Sequence, residues 1–182
     1  MRGGVVLGFD AATDQAVRAL WDVVERVRGA AAHARQLAPH LTLLGADDLD
    51  RVPFTQGLAA LAARTGPFPI HLGAVASFFG PDGVRYLAPS VTPALATLQQ
   101  QLRDLAVSSG VHPWEQFAPG HWMPHCTLAV GRSDPLILQG VATVRAREAG
   151  LSGSGIARVS FTLGDGGART SELLPLTGLA AL

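Results

Sequence analysis

Two short stretches of the sequence repeat each other, "APHLTLLG" at residues 38–45 and "MPHCTLAV" at residues 123–130. Both contain Pro-His-x-Thr-Leu, and both are short and mainly apolar, as is typical of a buried β-strand. In a strand, side chains at positions i and i+2 share a face and lie about 6 to 7 Å apart. Each copy therefore predicts one strand with a histidine and a threonine on one face. These residues are His40 and Thr42 in the first copy and His125 and Thr127 in the second.

The surrounding sequence predicts the same kind of element around each copy. In the first half we expect a strand at 4–10, a helix at 14–28 capped by Thr13, the first Pro-His strand at 39–45, a helix at 54–64, and strands at 68–80 and 83–90. In the second half we expect a helix at 92–109, a loop at 111–124, the second Pro-His strand, a helix at 134–149, and a hairpin of 155–165 with 168–176. This shared order predicts an α+β fold that arose by internal duplication.

Composition limits the partners of such a chain. Its 182 residues are 48% hydrophobic and 15% charged, which predicts one globular unit. The formal net charge is +0, so the broad basic field that holds extended nucleic acid is absent. Every basic residue is arginine, which excludes a lysine Schiff base and a P-loop lysine. We therefore expect a small phosphate ligand, or the end of a polymer.

The start of the chain and its single cysteine predict the compartment. The apolar run before Asp10 is too short for a signal peptide or a membrane span. Cys126 is the one cysteine, so no internal disulfide can form. We expect a cytoplasmic monomer without membrane contact.

Two matched histidines are suited to phosphodiester chemistry. That chemistry needs a base for the attacking oxygen and an acid for the leaving oxygen, and histidine serves either role near neutral pH. Threonine hydroxyls can donate hydrogen bonds to the non-bridging phosphate oxygens. Neither histidine has a second ligand at zinc-site spacing, so no metal is expected. Cys126 should face away from His125, and no Gly-x-Ser-x-Gly elbow is present.

The paired His-x-Thr-Leu motif resembles the 2H phosphoesterase superfamily, which contains the bacterial 2′,5′ RNA ligases and the 2′,3′-cyclic nucleotide phosphodiesterases. The stretch "GAVASFFGPDGVRYLAP" and the C-terminal strands also fall where that family has them. The resemblance implies a single bilobal domain over 1–182, with pseudo-two-fold duplicated lobes, each an antiparallel sheet flanked by helices, and a cleft between them. It further implies His40 and His125 as the acid-base pair, Thr42 and Thr127 as phosphate-binding hydroxyls, and no cofactor.

The expected enzyme hydrolyses 2′,3′-cyclic phosphates on nucleotides or RNA ends, or reversibly forms and cleaves 2′,5′ phosphodiesters. The alternative is a binding module that senses a nucleotide without turnover. The assignment of base and acid, the substrate and the direction stay open.

Further candidate substrate contacts come from arginines and aromatic residues. Arg35 and Arg132 flank the two motifs and either reach the cleft or stay solvated. Trp122 and Tyr86 either stack on a nucleobase or cover the core. The same choice applies to Phe78, Phe79 and Phe117.

Overall fold

The computed structural model describes residues 3–28, 38–78, 83–130, 158–165 and 168–175. The strands are β1 Gly3–Gly8, β2 His40–Ala46, β3 Leu72–Ser77, β4 Val84–Pro89, β5 Cys126–Val130, β6 Arg158–Asp165 and β7 Ala168–Pro175. The helices are α1 Ala11–Arg28, α2 Val52–Arg64 and α3 Pro93–Ser108, with a short 3₁₀ helix at Glu115–Phe117. The predicted α+β class and the order of these elements are confirmed. The helix predicted at 134–149 lies outside the described residues.

The strands form two antiparallel sheets. The first has the order β2-β1-β6-β7 and the second the order β3-β4-β5. The first Pro-His strand is therefore at an edge of the first sheet, and the second is at an edge of the second sheet. The two sheets alone do not establish duplicated lobes or a cleft between them, so these features stay predictions.

Helix α1 starts earlier than the sequence predicts, because a different residue caps it. The carboxylate of Asp10 accepts a hydrogen bond from the backbone N–H of Thr13 at 2.7 Å, and the Asp10 carbonyl accepts one from the N–H of Asp14 at 2.8 Å. Asp10 is thus the N-cap, and the prediction of Thr13 was wrong. Thr13 lies in the first turn, where its buried hydroxyl has no partner among the described residues.

The two sheets share one apolar core. Helix α1 follows a strand of the first sheet but contacts β5 of the second, and α3 follows a strand of the second sheet but contacts β2 of the first. Core side chains from the Pro-His strands are Leu41, Leu43, Cys126 and Leu128, each almost fully buried. Burial of one such leucine stabilises the fold by about 1.5 to 3 kcal/mol. The cross-packing brings β2 and β5 into contact.

The loop before β5 is anchored to β2 at a glycine. The backbone N–H of Trp114 donates to the carbonyl of Gly45 at 2.8 Å. A Cβ at Gly45 would lie 2.6 Å from the Trp114 ring and 2.8 Å from the Phe117 ring. The Phe117 carbonyl also accepts a hydrogen bond from the Gln99 amide of α3 at 3.1 Å. The absence of a side chain at Gly45 thus allows the loop before the second motif to pack closely against β2.

Within the described ranges, no helix combines the length and the apolar character needed to cross a membrane.

Candidate active site

Both motif histidines make the same hydrogen bond to the backbone. Nδ1 of His40 lies 2.7 Å from the carbonyl oxygen of Ala38, and Nδ1 of His125 lies 2.8 Å from that of Met123. A carbonyl only accepts, so each Nδ1 carries the proton and each Nε2 holds the lone pair of the neutral ring. Both imidazoles are therefore ready to exchange a proton at Nε2.

The proline of each motif explains why that carbonyl is in place. Pro39 and Pro124 stand between the histidine and the residue whose carbonyl it contacts. A residue before proline is restricted to extended conformations, which limits where its carbonyl can lie. Proline also has no N–H to compete for hydrogen bonds. The Pro-His pair thus fixes the ring tautomer by local backbone geometry.

Both motif strands contain a β-bulge at the same position. Strand β2 skips Leu43 in its pairing with β1, and strand β5 skips Leu128 in its pairing with β4. The flanking pairs are Val5 with Leu44 and Val6 with Thr42 in one ladder, and Arg85 with Ala129 and Tyr86 with Thr127 in the other. A bulge re-aims side chains and is common beside active sites. Because each bulge follows the threonine, it leaves the histidine and threonine on a shared face.

The burial of the motif side chains matches this arrangement. His40, Thr42, His125 and Thr127 are all half-buried, whereas the residues between and after them are buried. Within the described ranges, the hydroxyls of Thr42 and Thr127 form no side-chain hydrogen bond. They are therefore available to a ligand.

The two histidines are close enough to influence each other electrostatically. Burial lowers the pKa of His40 below its usual 6.5, the hydrogen bond to Ala38 opposes that shift, and the charge of His125 lowers the pKa further. Such an effect requires the rings to be near each other, since the interaction weakens with distance. At neutral pH the lowered pKa keeps His40 uncharged and able to accept a proton.

Cys126 is buried on the opposite side of its strand from His125, as predicted. Its side chain is 0% exposed, and burial raises the pKa of the thiol to about 12. The sulfur accepts a hydrogen bond from the backbone N–H of His40. The thiol therefore stays protonated near neutral pH, which excludes it as a nucleophile. Its sulfur links the two motifs.

An aromatic cluster surrounds His125. The Phe78 ring stacks on Tyr86 with centroids 4.4 Å apart and contacts the His125 ring edge-on at 4.9 Å. The centroid of Tyr86 lies 5.4 Å from that of His125. Tyr86 is 4% exposed, and Phe78 is half-buried. These contacts fix the orientation of the His125 imidazole, and they place the predicted residue Tyr86 beside it.

Two tryptophans bind the backbone of the motif threonines. The indole N–H of Trp122 donates to the carbonyl of Thr42 at 3.0 Å, and that of Trp21 donates to the carbonyl of Thr127 at 2.9 Å. Trp122 is half-buried against the core, and Trp21 is 2% exposed. In the sequence, the helical spacing of Trp21 with Val17, Leu20 and Val24 indicates only the inner face of a helix. The N–H of a buried indole needs a hydrogen-bond acceptor, and this need is the sequence signal for a role of Trp21 beyond packing.

Three further residues that were predicted near the site lie outside the described residues, namely Arg132, Arg35 and Phe79. In the described part of the chain, no three His, Cys, Asp or Glu side chains are grouped closely enough to hold a metal ion.

Two antiparallel sheets with a His-x-Thr motif at an edge strand of each are what the resemblance to the 2H phosphoesterases implies. The model of the 2′-5′ RNA ligase superfamily matches residues 14–156, which include both motifs. The chain belongs to this superfamily.

Among curated proteins, relatives from Bacillus cereus and Bacillus anthracis are 31% and 30% identical to this chain over 106 residues. Both carry the name "Putative phosphoesterase". Each match covers 56% of this chain and 57% of the relative, so it spans little more than half of either protein.

Proposed function

We propose that this chain is a metal-independent phosphoesterase that opens 2′,3′-cyclic phosphates on nucleotides or RNA ends. The reverse chemistry would form 2′,5′ phosphodiesters. The observation that carries this proposal is the matched pair of motifs, in which each histidine bonds a backbone carbonyl through Nδ1 and is followed two positions later by a half-buried threonine. Membership of the superfamily and the names of the relatives support a phosphoesterase.

In hydrolysis, His40 acts as the base and His125 as the acid. Nε2 of His40 takes a proton from water, whose oxygen then bonds to phosphorus. The bond from phosphorus to one ribose oxygen breaks, and His125, which enters this step protonated at both ring nitrogens, donates its Nε2 proton to that oxygen. The lowered pKa of His40 supports its role as the base, since the ring must start uncharged. In ligation the two histidines exchange roles.

Thr42 and Thr127 hold the phosphate during this step. Their hydroxyls donate hydrogen bonds to the non-bridging oxygens as negative charge shifts among them. Phe78, which stacks on the buried Tyr86, contacts the nucleoside next to His125, and Trp122 offers a further ring. Arg132 adds charge to the phosphate site.

The same proposal includes the wider architecture. The chain forms a single bilobal domain over 1–182, with duplicated lobes and the substrate in a cleft between the two sheets. The matched bulges at Leu43 and Leu128 and the matched Nδ1 hydrogen bonds support a duplication. The protein acts as a cytoplasmic monomer on a small nucleotide or an RNA end, with no cofactor.

A direct assay tests this function. The protein is incubated with each 2′,3′-cyclic nucleotide, with and without EDTA, and the product is separated by chromatography. We expect a nucleoside 2′-phosphate at an equal rate in both arms. His40→Ala and His125→Ala should abolish the product, and His71→Ala, which changes an exposed histidine outside the motifs, should not. Loss of activity with EDTA would contradict the metal-independent mechanism.

A binding module that senses a nucleotide without turnover is the rival function. A sensor needs no second proton-transfer group, so two histidines that each bond a backbone carbonyl through Nδ1 and so keep Nε2 for proton exchange argue against it. Tight binding of a cyclic nucleotide without any product would favour the sensor. A panel of 2′,5′-linked dinucleotides and other cyclic phosphates would then identify the ligand.

A further inference from the structure

The two motif strands meet at a seam between the sheets, which we define as the contact of β2 with β5. Each of these strands is at an edge of its own sheet, and no ladder pairs one with the other in the described part of the chain. An edge strand presents unpaired N–H and C=O groups along one side. When such groups are buried, they need other partners.

Three hydrogen bonds that each involve one side chain hold these strands, of which two cross the seam and the third joins β5 to α1. Cys126 of the second motif accepts from the backbone N–H of His40 in the first. Trp122, just before the second motif, donates to the carbonyl of Thr42 in the first. Trp21, on the helix between β1 and β2, donates in the opposite sense to the carbonyl of Thr127. The two indoles therefore form a reciprocal pair.

The width of the seam matters for chemistry at the two histidines. Strands joined by a ladder lie about 4.7 to 4.9 Å apart, and side chains directly opposite have Cβ atoms about 4.5 to 5.5 Å apart. At that spacing two imidazoles contact each other and leave no room for a phosphate between them. An indole is a rigid plane that is much wider than a hydrogen bond. A bridge through an indole therefore holds its two ends at a fixed distance, and without it the strands are free to separate further.

We propose that Trp21 and Trp122 are positioning residues that set the separation of His40 and His125. Trp122 does so by holding the carbonyl of Thr42 across the seam with its indole N–H, and Trp21 does so by fixing β5 to α1 through the carbonyl of Thr127. The catalytic consequence rests on the proposed function, because a fixed separation matters only if the two histidines act on one phosphate. The separation itself can be measured without turnover.

The first experiment removes the indole donors and measures kinetics. Trp21→Phe and Trp122→Phe keep an apolar ring but lose the N–H, and Trp114→Phe is the control for the change of ring size, because the Trp114 ring packs on Gly45 and Phe117. With a 2′,3′-cyclic nucleotide we expect kcat to fall about 10- to 100-fold in the two variants, since a small misplacement of reacting groups costs about that much. KM should change less than about twofold, because the phosphate contacts remain.

A second variant separates the hydrogen bond from the volume of the ring. Benzothienylalanine at position 122 has the shape of tryptophan but carries sulfur in place of the N–H. We expect the same loss of kcat as in Trp122→Phe, together with a thermal midpoint close to that of the wild-type protein. If Trp21→Phe or Trp122→Phe fails to fold, benzothienylalanine at the same position tests the proposal in its place.

The third experiment follows the titration of His40 by NMR. Its pKa is lowered by burial and by the charge of His125, so a wider seam should bring the pKa of His40 back towards 6.5. The titratable groups near it across the seam are His125 and Cys126, and the charge of Asp14 on α1 reaches Cys126. We expect the rise in Trp21→Phe and Trp122→Phe but not in Trp114→Phe.

The outcomes separate the two proposals. Folded Trp21→Phe and Trp122→Phe proteins with unchanged kcat and unchanged His40 titration would overturn the role of the tryptophans. If the wild-type protein turns over no cyclic phosphate but the His40 titration still shifts in the variants, the proposed function fails while the positioning role stands. A loss of kcat that also occurs in Trp114→Phe would indicate general destabilisation and would overturn the specific role.

Discussion

The sulfur of Cys126 accepts a hydrogen bond from the backbone N–H of His40, so a residue inside the second motif contacts the first. This relationship gives the cysteine a structural role. Cys126→Ala should leave a buried N–H without an acceptor and destabilise the protein by about 1 to 3 kcal/mol. Cys126→Ser supplies an oxygen acceptor, so its free energy of unfolding should decrease by less. Urea unfolding of the three proteins measures the difference.

The same thiol should be unreactive in the folded protein. Because burial raises its pKa to about 12, the thiolate is scarce at pH 8. We expect reaction with Ellman's reagent only after urea is added. Rapid labelling of the native protein would show that Cys126 is not held as described.

Removing either motif histidine should remove nearly all turnover. If His40 and His125 act in one step, each alanine variant should lose about 10² to 10⁴ in kcat, and the double variant should lose little more. The three proteins are compared by kcat/KM on one 2′,3′-cyclic nucleotide. Losses that multiply in the double variant would mean that the histidines act in separate steps.

The lowered pKa of His40 has a consequence for stability. A histidine whose pKa is lower in the folded protein binds fewer protons there than in the unfolded chain, so acid favours unfolding. The free energy of unfolding should therefore show no loss from His40 above about pH 6.5. It should decrease as the pH falls from 6.5 towards the pKa of His40 in the folded protein. Urea midpoints at pH 7.5 and 5.5 measure this loss. His40→Gln should reduce the loss, whereas His71→Ala should not.

The threonine hydroxyls can be tested without disturbing the tryptophans. Thr42→Val and Thr127→Val keep the backbone carbonyls that Trp122 and Trp21 bind. Loss of a hydrogen bond made to the transition state should lower kcat by about 10²-fold. Because the seam stays intact, the titration of His40 should stay close to that of the wild-type protein. A large change in that titration would mean that the hydroxyls also position the rings.

Gly45 should be irreplaceable for steric reasons. Its missing Cβ would lie 2.6 Å from the Trp114 ring, so Gly45→Ala forces the loop before β5 to move, at a cost of about 1 to 3 kcal/mol. Gly73→Ala is the control, because its nearest atom, Oγ of Ser90, is 4.0 Å from the added Cβ. Thermal unfolding of both variants measures the difference. Equal midpoints would contradict the close packing.

The sequence was sufficient to predict the order of elements and the faces of the two motif strands. Two copies of Pro-His-x-Thr-Leu placed histidine and threonine together, and the structure shows these side chains half-buried beside the buried Leu41 and Cys126. Both results depend on local spacing along a strand, which the sequence contains directly.

Other features depend on contacts that are distant in the chain. The bulges at Leu43 and Leu128 are set by the register with neighbouring strands, and consecutive apolar residues were the only local sign of them. Asp10 and Thr13 are both good capping residues, and the choice follows from where β1 ends. The acceptors of the two indoles are backbone carbonyls, which no side-chain pattern can reveal. The site was thus predictable in its reactive groups but not in what holds them.

The backbone carbonyls that orient His40 and His125 take the place that a carboxylate has in many catalytic triads. A peptide carbonyl bears no net charge and does not titrate, and its hydrogen bond persists whether the ring is neutral or protonated. The alignment of both rings should therefore be insensitive to salt, and it should survive the proton transfers themselves. A site that exchanges the roles of acid and base between its two directions needs that kind of support, because neither ring has to turn when its charge changes.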